Sequence, residues 1–376
     1  MFSTTVLSTT LRRALSAVAA PALALAAAPA FAADTIRVDA PITHDNLSIY
    51  LLRGASAAGA VPLTLAEAMA KGAISVLETG NVNQLTLDNS GGEDVFVQAG
   101  DIVKGGQQDR VLTVSLLIPA KSGKMAIGAF CVEQGRWSAR GKEDVKKFAS
   151  AEKALPSREA KLAMLAPKPA PTPAAAARPA EGRTASTAGD PRQQRRNLGG
   201  TGDETGSRQS EVWAYVGQVQ GKLAKSLNGS VSAPQSASSL QLSLENQKLA
   251  EARAAYIKVL QGAGASGADV IGVAIAINGR LNSAEVYPSH GLFAKMWPKL
   301  LDAAATEAIG EKAAKVEAAP DAAAVLAFLA AAEAGKASEQ KLDERLVRET
   351  RDGSSALVLE TRQKSGAFLH RSYLAK

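Results

Sequence analysis

The chain has 376 residues, 46% of them hydrophobic, which is ample for a core of one or two domains, and its single cysteine, Cys131, excludes an intrachain disulfide. Its formal charge of +7 invites a nucleic-acid partner, but Arg12 and Arg13 carry two of those charges, and seven basic against four acidic residues between Ala166 and Ser210 place +3 in a segment with no aromatic residue to stack a base. The remaining body is near +2, so nucleic acid is excluded as a partner.

In chain order, Arg12 and Arg13 precede an apolar stretch from Ala14 to Ala28, and Pro29 is followed by Ala30-Phe31-Ala32. A basic region, an apolar region too short to span a bilayer and a small-x-small site predict a signal peptide over residues 1–32, cleaved after Ala32. The flanks Leu11 and Ala14 favour the general secretory route over twin-arginine export. The expected mature protein is soluble, periplasmic or secreted, with no membrane span.

Residues 33–165 predict a β-rich block. Thr35–Val38, Leu47–Leu52, Ile74–Leu77, Gln84–Leu87, Val95–Val97, Val111–Ile118 and Ala126–Val132 read as strands, bounded by Gly, Asn and Asp. Leu63–Lys71 reads as a short helix after Pro62, and the runs 143–151 and 157–165 read as helical. Residues 166–209, with six prolines and Leu198 as the only large aliphatic, predict a disordered linker, because too little apolar surface is present to offset ordering entropy.

Residues 210–318 open with a helix, Ser210–Leu227, where Val212, Tyr215, Val216, Val219 and Leu223 recur at helical spacing. A longer helix is expected over about Leu240–Leu260. Val270–Ile277, Asn278-Gly279 and Arg280–Tyr287 then form the strongest β-hairpin signal in the chain. A helix over Leu292–Ala318 follows, with Pro298 as an alternative start. Residues 319–376 read as a C-terminal extension: a helix over Asp321–Ala334 and strands at Leu342–Glu349, Ala356–Arg362 and Phe368–Leu374. The fold class is therefore α+β, a mostly antiparallel β block packed with the helices and hairpin that follow the linker.

Two strand ends carry the chemistry. In Gly105-Gly106-Gln107-Gln108-Asp109-Arg110 and in Cys131-Val132-Glu133-Gln134-Gly135-Arg136-Trp137, polar residues crowd against apolar strands. Arg110 and Arg136 could chelate a phosphate or carboxylate, Gln107, Gln108 and Gln134 could read polar edges, and Trp137 could stack on a ring. Asp109 and Glu133 are the candidate acids or bases. The competing readings are ion pairs, Asp109 with Arg110 and Glu133 with Arg136, that pin strand ends, and a Trp137 that caps a core. Cys131, among Ile127, Phe130 and Val132, reads as a buried small hydrophobe. His44, His290 and His370 are isolated, and Ser289-His290 reads as a helix N-terminal turn ahead of a thiol-base pair with Cys131. No GxSxG, Walker or HExxH pattern occurs, and no metal or cofactor is expected.

The strings GGQQDRVLTVSLLIP and CVEQGRW, the helix containing Trp213, and GVAIAINGRLNSAEVY leading to LFAKMWPKLL together resemble the ARG and rhodanese-phosphatase-superfamily-associated protein domain, from about Asp34 to about Leu301. The family name reports neighbours rather than an activity. The resemblance implies a globular α+β domain with a polar site at Gln108, Asp109, Arg110, Glu133, Gln134, Arg136 and Trp137. Two functions follow from these residues. One is a module that binds a small anionic or sugar-phosphate-like ligand or a partner protein. The other is a hydrolase or transferase on a nucleotide- or ADP-ribose-like substrate, with Glu133 or Asp109 as acid or base. Without a nucleophile and base at recognisable spacing, the binding module is preferred.

Overall fold

The computed structural model describes Met1, residues 36–165 and residues 203–376, with side chains in the last stretch described from Arg208 onward. The expected signal peptide and most of the expected linker lie outside the described residues.

A nine-stranded antiparallel sheet forms one layer. It comprises β1 (Arg37–Val38), β2 (Ile42–His44), β3 (Leu47–Arg53), β13 (Val270–Ile277), β14 (Arg280–Val286), β15 (Lys336–Lys341), β16 (Leu346–Asp352), β17 (Ala356–Gln363) and β18 (Phe368–Ala375), in the order β1-β3-β13-β14-β18-β17-β16-β15 with β2 against β3. β3 and β13 read as continuous apolar runs because both faces of this sheet are covered. Leu47, Ile49 and Leu51 face one core, while Tyr50 and Leu52, pointing the other way, join a second one. The Asn278-Gly279 turn between β13 and β14 has φ of 52° and 77°, the positive pair that a two-residue hairpin loop needs.

The second layer has a six-stranded sheet, ordered β12-β8-β9-β11-β6-β5, made of β5 (Ile74–Glu78), β6 (Gln84–Asn89), β8 (Asp101–Gly105), β9 (Arg110–Leu112), β11 (Gly123–Cys131) and β12 (Phe148–Ala154). A three-stranded sheet, β10-β7-β4, adds β10 (Leu116–Ile118), β7 (Val95–Val97) and β4 (Leu63–Thr64). The helices are α1 (Leu65–Ala70), α2 (Arg158–Leu165), α3 (Asp203–Ser226), α4 (Leu240–Leu244), α5 (Gln247–Leu260), α6 (His290–Gly310) and α7 (Ala322–Glu333). The apolar stripe Val212, Val216, Val219 and Leu223 of α3 enters the central core together with α5, α6, and the inner faces of β3, β9 and β11. Val325, Leu329 and Ala332 of α7 cover the far face of the large sheet against Tyr50, Leu52 and Tyr373.

Several elements depart from the sequence reading. The expected helix over 143–151 is instead an irregular segment over 143–147 followed by the start of β12, because the neighbouring strand β8, not anticipated, offers a partner edge and a pocket for Phe148 and Ala151. The expected strand 111–118 divides at residues 113–115 into β9 and β10, which enter different sheets. The expected helix 240–260 breaks at Asn246, whose side chain caps the amide of Leu249 at 3.3 Å. α3 begins at Asp203 rather than Ser210, so the end of the expected linker is helical. α6 starts at the Ser289 cap, runs through Pro298 and stops at Gly310. Asn46 donates to the Ala308 carbonyl in the last turn at 2.9 Å and Asn278 to the carbonyl of the C-cap residue Glu311 at 2.7 Å, side-chain bonds that accompany the end of the helix short of Ala318. The segment 319–376 is structurally continuous with the body, since β18 pairs with β14 in the large sheet.

Candidate functional site

The two polar motifs meet where β8, β9 and β11 end, because antiparallel pairing sets Arg110 opposite both Val103 and Cys131. The β8–β9 connection needs glycine at Gly106: its φ is +57°, and a Cβ there would lie 2.6 Å from the Phe148 ring. The loop so formed aims the Gly105 and Gly106 carbonyls at Arg136, which donates to them at 3.2 and 3.0 Å.

Around this loop sits a buried charge cluster. Asp109 accepts a bidentate pair from Arg140 at 2.9 and 3.0 Å, the Ser239 hydroxyl at 2.6 Å and the Gly105 amide at 2.9 Å. Glu133 accepts from Arg136 Nε at 2.7 Å, from the Asp109 amide at 3.0 Å and from Arg140 at 3.4 Å. Both carboxylate side chains are fully buried. Burial pushes the Glu133 pKa up, but the hydrogen bonds from Arg136, Ser236 and the Asp109 amide outweigh it and hold the carboxyl below its ordinary value. For Arg140, burial lowers the pKa while Asp109 and Glu143 raise it further, so the guanidinium is held in its charged form.

A second buried cation lies beside the cluster. Arg110, fully buried, donates to Cys131 Sγ at 2.7 Å, Gln108 Oε1 at 3.2 Å and Glu78 at 3.3 Å, and its guanidinium lies 5.6 Å from the centre of the Trp137 ring. Burial pushes the Cys131 thiol up to about 11, reinforced by the Glu78 charge and partly offset by Arg110, so the thiol is protonated and unreactive at neutral pH. His290 caps no such chemistry. Its Nδ1 lies 2.9 Å from the Val270 carbonyl at the start of α6.

The structure thus brings Gln108, Asp109, Arg110, Glu133 and Arg136 together but turns their polar atoms toward one another. The expected Asp109–Arg110 pair does not form; Asp109 takes Arg140 and Arg110 takes Glu78. Gln107 donates its amide to Glu78 at 3.4 Å. Gln134 and Trp137 are the exposed members, with Trp137 at 40%. Glu78, Arg140, Gln209 and Ser239 were not anticipated. Gln209 clamps the Cys131 backbone, accepting from its N–H at 2.8 Å and donating to its carbonyl at 2.9 Å. Ser239 alone left a signal, as the cap-forming residue ahead of an expected helix start at Leu240.

Outside the cluster, past Arg140, opens a cleft of about 520 Å³ lined by Lys104, Arg140, Glu143, Pro234, Gln235 and Glu245, among others. Its charges balance. Lys104 holds Glu245 at 2.7 Å and Arg140 holds Glu143 at 3.0 Å. Glu143 Oε2 is buried here without a hydrogen-bond partner. Among the described residues no helix is long and apolar enough to cross a membrane.

Fold and site together define an α+β protein in which the strand ends of the six-stranded sheet and the cap of α4 are joined by a buried ionic lattice beside a polar cleft. The sequence matches the ARG and Rhodanese-Phosphatase-superfamily-associated Protein domain over residues 35–374, and the chain belongs to that family. The match extends through residues 319–374, beyond the expected limit near Leu301, in keeping with the strands those residues add to the large sheet. No curated protein and no solved structure matches the chain.

Proposed function

We propose that the protein is a binding module whose recognition surface is the cleft beside Arg140, and that the lattice of Asp109, Glu133, Arg136 and Arg140 shapes this surface without taking part in chemistry. The observation that carries this reading is the saturation of both candidate carboxylates: the hydrogen bonds that Asp109 and Glu133 accept come from protein groups, and neither side chain is exposed to solvent. An acid or base must exchange its proton with a substrate at hydrogen-bond distance. For Asp109 or Glu133 that would require Arg140 or Arg136 to leave, stranding a buried charge. The alternative hydrolase or transferase reading is correspondingly weaker.

The cleft favours a small ligand of sugar or sugar-phosphate character. Glu143 Oε2 is an acceptor awaiting a hydroxyl or amide donor, and Lys104 supplies a cation at 24% exposure for an anionic group. Titration of the protein with glucose 6-phosphate, ADP-ribose and a neutral disaccharide, followed by amide chemical shifts, tests it. Shifts at Lys104, residues 231–235 and Glu245, weakened by Lys104→Ala and Gln235→Ala, are expected. Absence of shifts there with all three probes, or turnover of any of them that Asp109→Asn abolishes, overturns the reading.

A further inference from the structure

The chain holds two Asn-Gly pairs, Asn228-Gly229 and Asn278-Gly279, and both asparagines take the left-handed conformation, with φ of 48° and 52°. Asn278 makes the tight hairpin between β13 and β14. Asn228 stands just past the last turn of α3, where Gly229 donates its amide to the Ala224 carbonyl at 2.9 Å. In an Asn-Gly pair the glycine nitrogen can reach the carbonyl carbon of the asparagine side chain, because no Cβ crowds the approach. Whether it does so depends on how firmly the side chain and the turn are held.

The two pairs are held very differently. Asn278 donates from Nδ2 to the Glu311 carbonyl at 2.7 Å and accepts from Asn46 at 3.1 Å, so both ends of its side-chain amide are fixed. Its glycine is walled in as well: a Cβ at Gly279 would lie 2.7 Å from the Glu317 side chain and 2.8 Å from the Ala318 carbonyl. Asn228, by contrast, is exposed, and its side-chain amide has no partner among the described residues. Gly229 is restrained by a hydrogen bond at a helix end, where opening costs least. A Cβ at Gly229 would meet the Lys248 ammonium of α5 at 3.2 Å and otherwise only the Leu227 carbonyl at 3.9 Å. That ammonium stands beside the residue whose nitrogen must lose a proton, and a nearby cation favours the deprotonated form.

We propose that Asn228 is a site of spontaneous deamidation, with water as the co-reactant. The Gly229 nitrogen gives its proton to solvent base and attacks Asn228 Cγ. The N–Cγ bond forms, the Cγ–Nδ2 bond breaks, and the side-chain nitrogen takes a proton from water and leaves as ammonia. Water then opens the succinimide ring: attack at Cγ leaves an aspartate, and attack at the backbone carbonyl leaves an isoaspartate, in which the chain runs through the side-chain carbons. Either product adds a negative charge at the negative end of the α3 macrodipole, beside Lys248 and just ahead of residues 231–235, which wall the cleft. The proposal does not depend on that cleft's being a ligand site.

The test follows both pairs in the same molecule. The full chain is held in mildly alkaline buffer made with oxygen-18 water, then digested, and the peptides carrying Asn228 and Asn278 are followed by mass spectrometry. The Asn228 peptide should gain the mass of an acid carrying oxygen-18, at a rate that rises with pH because the attacking nitrogen is deprotonated. Asn278 should react about thirtyfold more slowly, the ratio that two net hydrogen bonds make. Gly229 lies outside the positive-φ region, so Gly229→Ala should fold, and it should slow the reaction at Asn228 while leaving Asn278 unchanged. Equal rates at the two asparagines, no oxygen-18 at position 228, or a rate that neither pH nor Gly229→Ala moves overturns the proposal. Should Gly229→Ala fail to fold, the ratio of the two rates in the unaltered protein decides by itself.

Discussion

Arg140→Ala separates a structural lattice from an open ligand site. In the folded protein Arg140 makes the bidentate pair with Asp109 at 2.9 and 3.0 Å, touches Glu133 at 3.4 Å and holds Glu143 at 3.0 Å, with its side chain 5% exposed. Truncation leaves Asp109 buried with only the Ser239 hydroxyl, the Gly105 amide and the more distant Arg136, 3.8 Å away. Breaking a buried pair by removing one partner costs about 3–5 kcal/mol, and the residual donors place this case near the lower end, at about 3 kcal/mol. For a body of this size each kcal/mol moves Tm by about 2 °C, so a fall of roughly 6 °C is expected. Denaturant unfolding followed by circular dichroism measures the free energy, and thermal melting measures Tm. Adding Asp109→Asn to Arg140→Ala should recover part of the loss, because the stranded charge is then gone, whereas Asp109→Asn by itself should destabilise. A loss below about 1 kcal/mol for Arg140→Ala, in the range of solvent-exposed pairs, would refute the reasoning and return the cluster to the status of an accessible site.

Four further outcomes are expected, three from the structure and one from the sequence. Glu133 has its pKa lowered in the fold, so the stability it lends is present above the unfolded value near 4.5 and is lost as pH falls through the folded value; Glu133→Gln should flatten the acid limb of a stability-against-pH curve. Glu307 runs the other way: burial pushes its pKa up to about 7, so the folded state binds the extra proton between about 4.5 and 7, stability falls as pH rises through that window, and Glu307→Gln should remove that fall. Gln209→Ala unclamps the buried Cys131 N–H and carbonyl, which should cost about 1–3 kcal/mol and speed hydrogen exchange at the Cys131 amide; unchanged exchange would show that the clamp is not holding β11. The mature protein should begin at Ala33 when recovered from the periplasm, which N-terminal sequencing of fractionated cells checks, full-length protein in the cytosol being the contrary result.

Local signals made much of the architecture readable in advance. Val, Ile and Leu runs bounded by turn residues marked β3, β13 and β17, and Asn278-Gly279 specified its hairpin, because the positive φ values of that turn depend on the two residues themselves. The i, i+3, i+4 spacing of Val212, Val216, Val219 and Leu223 likewise announced which face of α3 would be buried, since helical geometry alone puts those positions on one stripe. The meeting of the GGQQDR loop with the CVEQGRW strand end was also legible as two neighbouring strand ends.

What only the tertiary structure decided was partnership. A charged residue's role depends on which opposite charge lies within a few ångströms of it, and those partners here are 31 residues apart for Asp109 with Arg140, 32 for Arg110 with Glu78 and 130 for Asp109 with Ser239. Sequence adjacency pointed to Asp109 with Arg110, yet successive residues at a strand end point to opposite sides, so neighbours in the chain are poor candidates for a pair. The same holds for β12, whose residues have helical composition but fill the open edge of β8, and for Arg348, Thr361 and His370, which share a row only because three strands from the C-terminal segment fold back in register. Burial then converted these groupings from candidate ligand contacts into a closed ionic lattice. The transfer of a carboxylate out of water is tolerable only when every oxygen finds a donor, and that condition is set by the whole fold rather than by any stretch of it.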